Sequence, residues 1–253
     1  MVCRLCLQDK KLCLSHVIPK AFLKRAKKSS PQLIRLSIGS QIGPVMDNVD
    51  WKEPLLCQDC EKFICNRYEE SQIRFLRNGR LVVRHPDRIT FTDFSYRKFY
   101  IFWLSILWRT SISSHPAFRA FEMGAQLDEI LRRVILHEDM RLDPGHCISE
   151  FMAIGLLKIK PFDIFTDETL KKMLMTLHLA NRPEASSMYM IIEGFLICFH
   201  FTVHGGQEMA PEFGRVKKSR LFRVPIVSLQ QSEALHSIFY EMNDYAQRYR
   251  ENS

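Results

Sequence analysis

Cys3-x-x-Cys6 and Cys57-x-x-Cys60 are the residues whose type and spacing most directly specify chemistry in this chain. A two-residue gap lets both thiolates of a pair reach one ion, and two such pairs supply the four corners of a closed, tetrahedral zinc site. The 50 residues between Cys6 and Cys57 exceed the gap of a compact zinc ribbon, so further structure must fold within that interval. Cys13 and Cys65 lie close to the pairs in sequence and read as small apolar side chains rather than as further ligands.

The interval opens with Leu14-Ser15-His16-Val17-Ile18-Pro19, and the second pair sits in Leu55-Leu56-Cys57-Gln58-Asp59-Cys60-Glu61. In order and context this resembles the HNH (ββα-metal) endonucleases that carry a four-cysteine zinc core, over residues 3 to about 70. The resemblance implies a small zinc-stabilised ββα-metal module. It also implies that His16 is the general base that draws a proton from water attacking a phosphodiester. An imidazole suits that role because it titrates near the working pH, and a divalent cation, Mg²⁺ or Mn²⁺, would offset charge on the scissile phosphate. Small proteins of this build resemble nucleases of bacterial defence and mobile-element systems.

The departures from the family pattern are specific. Ser15 stands where an Asp often binds the catalytic metal, Lys52 where the motif often has Asn, and Glu61 where it often has His or Asn. Glu61 can ligate Mg²⁺ or Mn²⁺ through a carboxylate oxygen, or stabilise a helix start without any metal. Glu69, eight residues on, falls on about the same helix face. Two readings stay open: His16, Glu61 and Glu69 form an alternative catalytic metal site, or the module has lost its chemistry and binds nucleic acid or a protein through its zinc-stabilised fold.

The elements that must position these residues follow from pattern. Residues 58–77 contain no Gly or Pro and end at Asn78-Gly79, which predicts a helix starting inside the second pair. Residues 24–32 read as a basic loop and 37–48 as irregular chain. His85-Pro86 and a change in charge suggest a boundary at about residue 90, dividing a zinc-bound module (1–90) from a larger, mainly helical α+β domain (91–253). There, 94–109 is apolar around most of its circumference and predicts a buried helix, with Trp103 and Trp108 in the core. Phe118 to Arg141 reads as an amphipathic helix. MYMII and FLICFHFTV, around Glu193-Gly194, predict a β-hairpin. Pro225 makes 221–229 an edge strand, and 230–249 reads as a closing helix. Arg109–Ser114 and the cluster Arg215, Lys217, Lys218 and Arg220 read as solvated surface, and His200 and His204 as structural residues.

Composition bounds the partners. The whole charge excess of +8 lies in residues 1–90, with 17 Lys or Arg against 9 Asp or Glu. A surplus confined to one segment suits phosphate binding, so the expected partner is nucleic acid, in the first instance duplex DNA, with residues 91–253 free to contact a protein. The N-terminus lacks the basic and apolar regions of a secretory signal, and the longest apolar run is too short to span a bilayer. The expectation is a cytoplasmic protein with no membrane partner. No Gly-rich nucleotide loop or nucleophile elbow occurs.

Overall fold

The computed structural model describes residues 1–27, 31–36, 44–48, 50–118, 121–163, 165–181, 185–202 and 209–241. After the first cysteine pair the chain forms β1 (Leu12–His16), α1 (Lys20–Ala26), β2 (Leu33–Leu36), β3 (Val45–Asp47) and β4 (Lys52–Cys57). β1 and β4 pair antiparallel, with Leu12 opposite Cys57 and His16 opposite Lys52. α2 (Gln58–Ile64) follows β4 directly and continues through one π-helical turn, Cys65–Glu69, into α3 (Glu70–Arg77). The predicted helix over 58–77 is therefore present and ends at Asn78. π-turns of this kind concentrate at functional sites.

Two short readings are corrected here. Lys24–Ala26 belong to α1, whose buried Phe22 and Leu23 hold it against the core, so the loop reading does not hold for them. Val45–Asp47 is a strand because β2 supplies its ladder. Residues 28–30 and 37–43 of these two segments lie outside the described residues.

The remaining elements are β5 (Val82–Arg84), β6 (Arg88–Phe91), α4 (Tyr96–Ile112), α5 (Ala125–His137), α6 (Ile148–Phe151), β7 (Met152–Ile159), α7 (Asp167–Lys172), β8 (Met173–Asn181), β9 (Ala185–Ile192), β10 (Phe195–Thr202), β11 (Gly214–Arg215) and β12 (Phe222–Val227). A last helix, α8, runs over 233–241. One sheet has the order β3-β2-β8-β9-β10-β7-β12-β6-β5, with β11 paired to β7. Alternate residues of its central strands enter two cores. Ile154, Leu156, Ile197 and Phe199 pack on the α4 side, and Leu157, Ile159, Leu196 and Cys198 pack with Leu235 and Phe239 of α8 on the other. Strands buried on both faces read as continuous apolar runs, as MYMII and FLICFHFTV do. The mixed α+β class holds.

Residue 90 does not separate two packed bodies. β2 pairs in parallel with β8, β6 pairs with β12, and one apolar cluster runs from Cys3 to Val224. His85-Pro86 lies in the turn of the β5–β6 hairpin, closed by the His85 N–H donating to the Arg88 carbonyl at 2.8 Å. Proline marks this turn for the same reason that it marks linkers: its ring presets φ.

Two further boundaries move. α5 starts at Ala125, not Phe118, because Gly124 takes φ +85°, outside the helical region. β12 is interior: Phe222–Pro225 pair with β6 and Ile226–Val227 with β7, so Pro225 sits where the ladder changes partner and its missing N–H costs little. No helix among the described residues is long and apolar enough to cross a membrane. His204 and residues 242–249 of the predicted closing helix lie outside them.

Candidate metal centre

The β1–β4 ladder brings the two cysteine pairs together. Cys57 ends β4 opposite Leu12, and Cys60 occupies the first turn of α2. The N-terminal segment is laid against them by the Arg4 N–H donating to Leu55 O at 3.0 Å and the Cys57 N–H donating to Cys3 Sγ at 3.3 Å. All four Sγ atoms lie within 4.8 Å of one another, and Cys6 and Cys57 are 3.9 Å apart. A tetrahedral ion with metal–sulfur bonds of about 2.3 Å would set that edge near ~3.8 Å. The donor set therefore fits a closed, structural metal site.

The electrostatics agree with such a site. Burial pushes the Cys3 thiol up, but the backbone N–H groups of Cys57, Cys6 and Leu5 outweigh it and bring the thiol down to about 7. Burial, with the other three cysteines behind it, pushes Cys60 far up. A cation at the centre reverses that penalty, because thiolates coordinate as anions. Cys13 and Cys65 stay outside the cluster, half-buried and free.

His16 ends β1. Its Nε2 lies 3.1 Å from Asp50 Oδ1, and Asp50 Oδ2 lies 2.6 Å from Lys52 Nζ. The Lys52 ammonium, and to a lesser degree the His16 ring, hold the Asp50 carboxyl below the usual carboxylate range. Ser15, in place of the family's Asp, is fully buried and accepts from the Leu56 N–H at 3.2 Å, so it ties β1 to β4 and faces no solvent. Asp50 is the residue that sequence reasoning missed. It lies 34 residues from His16, and only the pairing of His16 with Lys52 brings it near.

Glu61 and Glu69 lie on the helix that leaves Cys60. Glu61 Oε2 is buried and has no hydrogen-bond partner among the described residues. Glu69 Oε1 lies 2.7 Å from Arg109 Nη2, an ion pair by distance that is not aligned as a hydrogen bond. Cys65 stands between them: burial first, then the charges of Glu69, Glu70 and Glu61, raises its thiol, while Arg109 opposes them.

Arg109 itself corrects the reading of residues 109–114 as solvated surface. It is 1% exposed, and its Nη1 donates to His16 O at 2.9 Å while its Nε donates to Ser105 O at 3.1 Å. Ser113 and Ser114 are turned toward Glu53 of β4. Burial raises that carboxyl, but hydrogen bonds from both hydroxyls and the Ser114 N–H more than offset it and lower it.

The alternative catalytic site is not assembled as expected. The cysteine tetrad is the only set of three or more His, Cys, Asp or Glu side chains with ligand atoms within 4.8 Å among the described residues. His16 Nε2 is engaged by Asp50, and Glu69 by Arg109. The two predicted elements are instead joined through one guanidinium. Arg109→Leu is expected to lower stability by about 3–5 kcal/mol, since it leaves Glu69 and the His16 carbonyl without their cation. Urea unfolding checks this, and an unchanged midpoint would show the clasp to be idle.

No protein-family model, curated protein or solved structure matches this chain.

Proposed function

We propose that the protein is a zinc-stabilised, metal-dependent endonuclease of the HNH type that cuts duplex DNA. The observation that carries the reading is the Arg109 clasp. One buried side chain donates to the carbonyl of His16 and pairs with Glu69, so the strand that ends in the candidate base is fixed to the helix that bears the candidate carboxylates. The order β1, β4, α2, closed at its root by four cysteines, supports the same reading, and so does the resemblance of the motifs.

In this reading His16 accepts the proton of the attacking water, and Asp50 on its Nε2 fixes the ring orientation. Glu61 offers a carboxylate oxygen that has no hydrogen-bond partner among the described residues. Mg²⁺ or Mn²⁺, when bound, supplies charge stabilisation to the scissile phosphate. Such ions are commonly held by one or two carboxylates together with substrate phosphates and water, so a complete protein cage is not required. The tetrad holds zinc, because four thiolates in a closed tetrahedron suit that ion.

The second reading is a non-catalytic zinc module that binds nucleic acid or a protein. It draws on the lack, among the described residues, of any ligand cluster besides the cysteine tetrad, and on Lys52, which occupies the motif's usual Asn position and pairs with the same Asp50 as His16.

Supercoiled plasmid incubated with Mg²⁺ and separately with Mn²⁺ distinguishes the two. Nicking that needs the added metal supports the nuclease, whereas intact plasmid under both metals, with DNA binding retained, supports the second reading. In either case duplex affinity is expected to fall steeply with salt, since the +8 excess of residues 1–90 would act through phosphate contacts. A flat salt dependence would remove the argument from charge.

A further inference from the structure

The β9–β10 turn is shaped around the side chains beneath it. Glu193 and Gly194 take φ of +51° and +75°, the two-residue hairpin geometry that favours Asn or Gly at its first position. Glutamate there is strained, and its side chain explains its presence: it is 9% exposed, bonded to Arg77 of α3 and 3.7 Å from Arg25 of α1. At Gly194 a Cβ would come within 2.5 Å of Lys158 Nζ, so the glycine makes room for that ammonium.

Lys158 is the only charged residue of β7 and is 8% exposed. It lies 2.9 Å from Asp167 of α7 and 5.3 Å from the centroid of the Phe195 ring. Asp167 is shared with Lys171. These groups border a cavity of about 260 Å³ whose walls include Arg25, Arg84, Lys158 and Lys171 against only Asp167 and Glu193. Both carboxylates are already engaged from the protein side. Arg84, exposed on β5, makes no ion pair among the described residues.

Burying a lysine and gathering like charges around a small space both oppose folding. A surplus of N–H donors lining a partly open cavity is, however, the arrangement that receives a multiply charged anion, and guanidinium groups match phosphate oxygens in pairs. We propose that this cavity binds a small phosphorylated molecule, with the phosphate held by Lys158, Lys171, Arg25 and Arg84. Its volume lies just below the ~300–1,000 Å³ of ordinary ligand pockets, too small to admit a duplex. Because α1, α3, β5, β7 and α7 all contribute, an occupant would tie the helices that follow the cysteine pairs to the sheet. This assignment does not rest on the nuclease reading.

The test uses the full chain and three probes: inorganic pyrophosphate, adenosine 5′-diphosphate and a short duplex, each titrated calorimetrically at constant ionic strength against chloride. Pyrophosphate or the diphosphate is expected to bind saturably and raise the melting temperature, with Arg84→Ala weakening that binding tenfold or more. Lys158→Met should abolish it; if that variant fails to fold, Arg84→Ala decides alone. Tighter binding of the diphosphate than of pyrophosphate would add a base-sized group to the ligand class, and equal binding would limit it to phosphate. The proposal is overturned if neither small probe binds above the chloride control, if only the duplex binds, or if Arg84→Ala binds as well as the parent.

Discussion

Cys57→Ser is expected to leave the protein without its metal and largely unfolded, far beyond a loosening of its N-terminus. Cys57 joins three structures at once: it ends β4, starts α2, and donates its N–H to Cys3 Sγ. Structural zinc contributes roughly 10–16 kcal/mol in small zinc modules, comparable to the ~5–15 kcal/mol of net stability of a whole domain. Cys3, Leu5 and Cys57 belong to the same apolar cluster as Trp103 and Phe199, so the loss should spread into the sheet. Cys198→Ser is the control. Cys198 is buried on β10 but outside the tetrad, and its replacement should cost no more than about 1–3 kcal/mol, an ordinary buried substitution. Elemental analysis of protein purified without added metal should find one zinc per chain, and thermal melts should rank the two variants. A folded protein with zinc well below one equivalent would sink the four-cysteine site.

The second large effect separates the roles proposed for His16 and Glu61. His16→Ala should keep its zinc, bind duplex DNA and the catalytic cation, and cleave slower by about two to four orders of magnitude, the usual worth of a positioned general base. Glu61→Ala should fail differently. Losing a carboxylate that serves the cation raises the Mg²⁺ or Mn²⁺ concentration required, and high metal should restore part of the rate. Single-turnover rates over a metal titration read both outcomes. Cleavage by Glu61→Ala with unchanged metal dependence would leave Glu61 as a helix-start carboxylate, and undiminished cleavage by His16→Ala would remove the base assignment.

Some of this architecture is local and was readable as such. The helix over 58–77 needs only its own run of helix formers and the Asn78-Gly79 stop, and the aromatic helix around Trp103 declares its burial by being apolar on all sides. The β9–β10 hairpin shows in its two apolar runs and two-residue turn. The cysteine tetrad was legible for a different reason. Ligand chemistry demands the same residue types wherever the chain runs between them, so spacing within each pair sufficed although the pairs are 50 residues apart.

What the sequence by itself determined, then, is the set of four cysteines that could hold a metal, the helix that leaves the second pair and the α+β class. Tertiary structure alone decided the rest. β2, with β3 on its outer edge, pairs with β8 rather than within the interval between the cysteine pairs, and β12 is interior despite Pro225, because strand position depends on partners far along the chain. Arg109 reads as surface by type, yet it is buried because Glu69 and the His16 carbonyl, 40 and 93 residues away, meet it there. Asp50 reaches His16 through the register of a single ladder, and Lys158 enters a strand interior because Gly194 and Asp167 make room and charge for it. In each case the partner that stabilises a polar side chain is supplied by another element. Its burial is therefore a property of the packed molecule, since an uncompensated charge would not stay inside.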